Sequence, residues 1–152
     1  MNDYKYMLLA LEQAKKAYDE GEVPVGAVIV KDDNVIAKTH NTKEKNKCSL
    51  EHAELSAIKL ACGKLNNWRL IGTTIYVTLE PCPMCASAIK QSRINRVVYL
   101  LDNNDINNSK IVNEIFSLHD ANASVEKMKL DISKFSEKDI DIISDFFRKK
   151  RY

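Results

Sequence analysis

The stretch TTIYVTLEPCPMCASAIKQ, residues 73–91, decides the fold, because its pattern changes from strand to helix around one short turn. Its first seven residues are rich in β-branched and aromatic side chains, which favour a β-strand. Pro81 and Pro83 bracket the turn, and Pro83 suits the first position of a helix that extends to about Gln91. A strand that leads through a turn into a helix is a building unit of α/β domains.

The segments on either side continue this alternation. Further strands are predicted at 25–30, 35–37, 96–101 and 124–130, the first two as a hairpin. Further helices are predicted at 4–20, 53–63, 110–118 and from Ser136 onward, where Asp139 completes a capping box. The polar stretches at 40–49 and 102–110 show no periodicity. The pattern predicts one α/β domain over residues 1–152, with a central mixed sheet of five strands and helices on both faces.

Composition narrows the class of protein without naming a function. The chain has 152 residues, of which 45% are hydrophobic and 29% charged, and this balance excludes disordered, collagen-like and coiled-coil proteins. A net charge of +2 does not identify a nucleic-acid binder by itself. The longest apolar run, residues 23–30, is far shorter than the roughly 20 residues that span a bilayer. The first residues show no secretory signal, so we expect a cytoplasmic protein with no membrane partner.

Two short motifs carry chemistry, and each opens a predicted helix. Cys82 and Cys85 are three residues apart, so a helix places them on one face, near the N-terminus that favours thiolates. With His52 they form a set of ligands for one Zn²⁺ per chain and leave a fourth position for water, as in catalytic zinc sites. Glu54 is predicted to reach that water and to serve as the catalytic proton carrier.

Two other interpretations of the cysteines explain less of the sequence. A redox Cys-x-x-Cys pair would give His52 and Glu54 no role. A structural zinc site could recruit Cys48, four residues before His52, and would not need Glu54. The combined spacing H-x-E and P-C-x-x-C is the signature of zinc-dependent deaminases, which favours the catalytic interpretation.

On these motifs and three further stretches, the sequence resembles the bacterial tRNA-specific adenosine deaminases of the cytidine deaminase superfamily. The stretches are EVPVGAV at 22–28, YVTLEPC at 76–82 and SDFFR at 144–148. The resemblance implies a three-layer α/β/α cytidine deaminase-like fold. It also implies hydrolysis of adenosine to inosine at the wobble position of a tRNA anticodon, by a homodimer that binds the anticodon stem-loop. No DNA partner is expected.

The resemblance also implies roles for residues outside the two motifs. Asn41 matches the asparagine that holds the target nucleotide. The residues that match the lining of the base pocket are Val25, Gly26 and Ala27. Near the C-terminus, two adjacent phenylalanines precede four basic residues, so we expect Phe147 and Arg148 to contact the RNA.

Two stretches depart from the family's pattern. Thr42-Lys43 stands where the family usually has a basic residue and a proline. LDNND at 101–105 replaces Ala-Arg-Asp-x-Lys, and the glycine turn that follows it in the family is missing from a loop that contacts RNA. The alternative functions are deamination of a free base such as guanine and RNA binding with a structural zinc. Residues 23–26 and the aromatic, basic C-terminus favour tRNA over a free base.

Overall fold

The fold comes from a computed structural model that describes residues 2–149, except residues 119, 121 and 123 and the side chains of Arg148 and Lys149. Its five strands are β1 (Gly26–Lys31), β2 (Asn34–His40), β3 (Thr73–Leu79), β4 (Arg96–Leu101) and β5 (Glu126–Lys129). They form one sheet in the order β2-β1-β3-β4-β5. β1 pairs antiparallel with β2 and β3, whereas β3, β4 and β5 run parallel, so the predicted mixed sheet is confirmed.

Helices cover both faces of this sheet. They are α1 (Asp3–Asp19), α2 (Lys43–Asn46), α3 (Ala53–Leu65), α4 (Pro83–Gln91), α5 (Asn108–Ser117) and α6 (Glu137–Lys149). Side chains of α1 and α6 share one core cluster with Val28 and Val30, and those of α3, α4 and α5 share the other with Ala27 and Ile29. Alternate residues of β1 therefore face opposite layers, and the predicted three-layer fold is confirmed. No helix in the described ranges is long and apolar enough to cross a membrane.

Gly26 lets α1 pack closely on the start of β1. A Cβ atom at this position would lie 2.0 Å from the carbonyl oxygen of Ala10 and 2.7 Å from the amide nitrogen of Ala14. Neither backbone atom can move without shifting the helix, so any side chain here would push α1 away from the sheet.

Several element bounds differ from the sequence prediction. α3 continues past Gly63 and ends at Leu65. It ends there because Asn66 adopts a left-handed conformation, φ 51°, and donates its N–H to the carbonyl of Cys62. The stretch at 40–49 contains the one-turn helix α2, whose first amides are bound by the distant carboxylate of Glu22. α5 begins at Asn108 rather than near 110. The predicted cap of α6 is present, since the Ser136 hydroxyl accepts a hydrogen bond from the Asp139 amide.

Candidate metal centre and active site

Two helix N-termini meet at the site. His52 is the N-cap residue of α3 and Cys82 is the N-cap residue of α4, and both have extended backbone conformations. Cys85 lies one turn into α4 and is fully buried. Because α3 and α4 pack on the same face of the sheet, the Nδ1 atom of His52 and the two Sγ atoms come within 4.8 Å of one another. We call these three residues the metal centre.

The donor atoms have the spacing that a tetrahedral metal ion requires. His52 Nδ1 lies 3.9 Å from Cys82 Sγ and 3.4 Å from Cys85 Sγ. Zinc–sulfur bonds of about 2.3 Å and zinc–nitrogen bonds of about 2.0 Å at tetrahedral angles place nitrogen and sulfur roughly 3.6 Å apart. Cys82 and Cys85 are free thiols, and Cys48 does not belong to the group. The geometry therefore favours a metal site with three protein ligands over a disulfide or a site with three cysteines.

Hydrogen bonds within the metal centre prepare Cys82 to bind a cation. A hydrogen bond from the Cys85 thiol, supported by one from His52, lowers the pKa of Cys82 to about 4. The same contact raises the pKa of Cys85, which donates its proton to the Cys82 sulfur. The hydrogen bond to Cys82 also raises the pKa of His52. Cys82 is thus held as a thiolate, the form in which cysteine binds metals.

Glu54 is a buried carboxyl group beside the metal centre. It lies in the first turn of α3, is 4% exposed, and shares a cavity wall with His52 and Cys82. Burial raises the pKa of Glu54 to about 7. A carboxyl group with a pKa near neutrality can both accept and release a proton under ordinary conditions, as general acid–base catalysis requires.

The cavity in front of the metal centre measures about 760 Å³. This volume lies within the roughly 300–1,000 Å³ range of small-ligand sites. Its apolar lining consists of Val23, Val25, Leu79, Ile106 and Phe147. Its polar lining outside the metal centre consists of Asn41, Lys43, Glu54, Glu80, Asp102, Asn103, Asn104 and Asp105. Apolar walls with a few converging polar groups suit a flat heterocycle that carries hydrogen-bonding edges.

Asn41 lines this cavity and is fixed in place by the start of α3. Its Oδ1 atom accepts a hydrogen bond of 2.7 Å from the backbone amide of Ala53, and its own backbone amide donates to Val25. Only a carbonyl oxygen can accept from that amide, so the orientation of the side chain is determined. Its Nδ2 atom is then the group that can donate a hydrogen bond to a bound molecule.

The other residues predicted for substrate contact lie in different environments. Val25 lines the cavity, and Ala27 is buried on the same face of β1. Gly26 faces α1 on the opposite side, so at most its backbone adjoins the pocket. Phe147 lines the cavity and packs edge-to-face on Phe146, with ring centroids 5.2 Å apart. The side chain of Arg148 lies outside the described residues.

Glu80 is a site residue to which the sequence pattern gave no role. It precedes Pro81 and Cys82, lines the cavity and is 1% exposed. Its carboxylate accepts hydrogen bonds from the Asn103 amide, the Ser109 hydroxyl and the Lys127 ammonium group. The sequence feature that could have pointed to Glu80 is an acidic residue at the end of a strand, directly before the turn that carries a predicted metal ligand.

The chain is similar to known deaminase sequences. The family model described as MafB19-like deaminase matches residues 1–151. The chain is 40% identical over 146 residues to the tRNA-specific adenosine deaminase of Aquifex aeolicus, which covers 96% of this chain and 94% of that protein. It is 52% identical over 97 residues to the tRNA-specific adenosine deaminase of Bacillus subtilis; this match covers 64% of this chain and 60% of that protein.

Solved structures with the same fold include two kinds of deaminase. A structure from a study of A-to-I editing by tRNA:A34 deaminases has a TM-score of 0.78 and 36% identity, and it covers 86% of this chain and 100% of that chain. The guanine deaminase of Bacillus subtilis has a TM-score of 0.67 and 28% identity, and it covers 100% of this chain and 99% of that chain.

Proposed function

We propose that this chain, which belongs to the MafB19-like deaminase family, converts adenosine to inosine by hydrolysis at the wobble position of a tRNA anticodon. The observation that carries the proposal is the placement of Glu54 beside the metal centre, in a chain 40% identical to a tRNA-specific adenosine deaminase over nearly its whole length. The identity to the guanine deaminase is lower, 28%, although the fold is shared.

We infer that the metal centre holds one Zn²⁺ through His52, Cys82 and Cys85. Their nitrogen and sulfur atoms are the ligands that zinc prefers, and three protein ligands leave a position for water. When bound, zinc supplies a Lewis acid that lowers the pKa of a coordinated water from 15.7 to about 7.

Glu54 moves the protons of the reaction. Its carboxylate takes a proton from the attacking water and passes it to the ring nitrogen beside C6 of adenine. It then delivers the second proton of that water to the departing amino group, so adenosine and water give inosine and ammonia. Glu54 thus acts first as base and then as acid, and ends each cycle in the form in which it began.

The walls of the cavity hold the base for this reaction. Asn41 donates a hydrogen bond through Nδ2 to an acceptor on the nucleotide, while Val25 and Leu79 supply apolar surface. The buried position of Glu54 keeps bulk water away from the proton transfers.

We further propose that the substrate is the anticodon stem-loop and that the enzyme acts in the cytoplasm as a homodimer. Phe147, at the cavity wall, and Arg148 next to it are the residues proposed to contact RNA beyond the flipped base. The feature that supports a dimer is residues 84–89 of α4, which are small or apolar; within this stretch Ser87 is exposed, and Met84 and Ala88 are half-buried. Light scattering of the purified protein should give about twice 17.3 kDa; a particle of 17.3 kDa would contradict the dimer.

To test the proposal, the zinc-loaded protein is incubated with an anticodon stem-loop that carries adenosine at the wobble position and, in a separate reaction, with guanine. The proposal expects inosine in the stem-loop, detected by nucleoside mass spectrometry, and no xanthine from guanine. Xanthine formation without inosine would replace the proposal with free-base deamination. A stem-loop with adenosine only at another loop position is the matched control for the target nucleotide.

A further inference from the structure

Glu80 lies next to both the turn that carries Cys82 and the loop that follows β4, and all three line the cavity. It comes two residues before Cys82, and its backbone amide donates to the carbonyl of Leu101 at 2.7 Å. Residues 102–107, which join β4 to α5, are called the rim loop here, and five of them line or approach the cavity with Glu80. The side chain is buried, so its carboxylate faces protein groups from several segments.

The Oε1 atom of Glu80 binds the start of the rim loop and the first turn of the helix that follows it. It accepts a hydrogen bond of 3.2 Å from the backbone amide of Asn103 and one of 2.7 Å from the hydroxyl of Ser109. Asn108, between them in space, donates through Nδ2 to the carbonyl of Pro81 at 3.1 Å. The turn before the metal ligand and the rim loop are therefore joined by buried hydrogen bonds from two sides.

The Oε2 atom of Glu80 is paired with a cation from the far edge of the sheet. Lys127 of β5 donates to it and also to Oδ1 of Asn113 at 2.9 Å. A buried carboxylate is stable only when it is paired and hydrogen-bonded, and Lys127 meets that need. Both oxygens bind protein groups and the side chain is fully buried, so the role of Glu80 is to hold protein groups in place.

The rim loop has few other ties among the described contacts. Asn103 Oδ1 accepts from the Asp105 amide within the loop, which shapes a turn but does not attach it to the sheet. The ion pair of Asp102 with Lys129 is about half exposed on both sides, and such pairs contribute little. Ile106 at the loop tip is 89% exposed. Among the described contacts, the hydrogen bond to Glu80 is therefore the tie that joins this loop to the turn before Cys82.

From this network we propose that Glu80 is a positioning residue that holds the rim loop in its binding conformation before RNA arrives. The inference rests on the proposed function, in which the rim of the cavity meets the nucleotides around the flipped base. A loop that is already ordered costs no entropy on binding, whereas fixing one backbone residue costs a factor of roughly 5–30 in the equilibrium constant. Glu80 thus affects how well RNA binds more than how fast the bound adenosine reacts.

The test compares steady-state kinetics of zinc-loaded wild type and Glu80→Ala on the anticodon stem-loop. We expect KM to rise roughly 5–30-fold and kcat to change less than threefold, with unchanged zinc content. Ser109→Ala removes one of the same hydrogen bonds with less risk to folding, and it should raise KM in the same direction by a smaller factor. The double variant Glu80→Gln/Lys127→Met retains a side-chain oxygen that can accept a hydrogen bond from the Asn103 amide, and it leaves no unpaired charge. Its KM should therefore be within threefold of the wild-type value.

Asp3→Asn is the matched control for loss of a charge pair far from the cavity. Asp3 binds Arg96 at 2.7 Å at the opposite end of β4, and both side chains are about as buried as Lys127. The KM of the Asp3→Asn variant should equal that of wild type, although the variant is less stable. A KM increase in Asp3→Asn equal to that of Glu80→Ala would show that loss of stability alone explains the effect.

Amide hydrogen exchange of residues 102–107 measures the anchoring without any substrate. Exchange in Glu80→Ala should be at least tenfold faster there and unchanged in β1 and β3. Wild-type exchange rates in the rim loop, or a wild-type KM in both Glu80→Ala and Ser109→Ala, would overturn the inference. If wild type makes no inosine, the proposed function fails, yet the exchange comparison still decides whether Glu80 holds the loop.

Discussion

The metal centre and the rim loop lie on the same cavity but depend on different parts of the sequence. His52 and Cys82 open α3 and α4, and Cys85 lies in the first turn of α4, so short motifs mark all three residues of the metal centre. The rim loop is held by Glu80, 23 residues before Asn103, and Glu80 is held by Lys127, 47 residues later. The residues of the metal centre are thus marked by short local motifs, although His52 lies 30 or more residues from the two cysteines, whereas no local motif marks the hydrogen bonds that hold the rim loop.

Removal of a metal ligand should have the largest effect. Cys85→Ser is expected to abolish zinc binding and inosine formation and to lower the melting temperature, because an ion held by these residues would connect the starts of α3 and α4. Elemental analysis and thermal unfolding measure the two losses. Cys48→Ser is the matched control and should keep one zinc per chain, since Cys48 lies outside the metal centre. Full zinc occupancy in Cys85→Ser would contradict the ligand assignment.

A change at Asn41 separates its two hydrogen bonds. Asn41→Asp keeps an oxygen for the Ala53 amide but lacks the Nδ2 donor, so kcat/KM on the stem-loop should fall roughly 10–100-fold with little change in stability. Asn41→Ala loses both contacts and should also lower the melting temperature. Kinetics and thermal unfolding of the two variants distinguish these effects. Wild-type kcat/KM in Asn41→Asp would remove Asn41 from substrate binding.

Truncation of the C-terminus should have a moderate effect confined to RNA affinity. Deletion of residues 148–152 removes four basic residues. Each lost phosphate contact should reduce the slope of the logarithm of the binding constant against the logarithm of the salt concentration by about one unit. Binding of the stem-loop measured at several salt concentrations gives this slope, and zinc content should stay constant. An unchanged affinity and slope would show that these residues make no phosphate contacts.

The smallest effect is expected at the Asp3–Arg96 pair, far from the cavity. The hydrogen bond from Arg96 lowers the pKa of Asp3 below its ordinary value. A carboxyl group with a lowered pKa stabilises the fold above the pKa of the unfolded chain, and this stability is lost as the pH falls through the folded pKa. Asp3→Asn should therefore cost roughly 1–2 kcal/mol at pH 7 and progressively less below about pH 4, as denaturant unfolding can measure. A difference that does not change with pH would contradict the ion pair.

The same contrast explains what sequence reasoning could reach. The five strands, the starts of α3 and α4 and the residues of the metal centre follow from short patterns such as Pro81 to Cys85, and the structure brings the three residues of the metal centre together. The roles of Glu22 and Glu80 could not be found this way. Their partners lie more than 20 residues away, and nothing in the local pattern shows which amides they accept from. The orientation of Gly26 toward α1 depends in the same way on the packing of a distant helix.

The most direct test of the account is the activity of Glu54→Gln with its zinc content measured in the same sample. The glutamine keeps the size of the side chain but cannot carry a proton, so zinc and stem-loop binding should match wild type while turnover falls by at least about 10²–10⁴-fold. Cys48→Ser, which leaves both the metal centre and Glu54 intact, should retain wild-type turnover. Inosine formation by zinc-loaded Glu54→Gln at the wild-type rate would contradict the claim that Glu54 carries the protons.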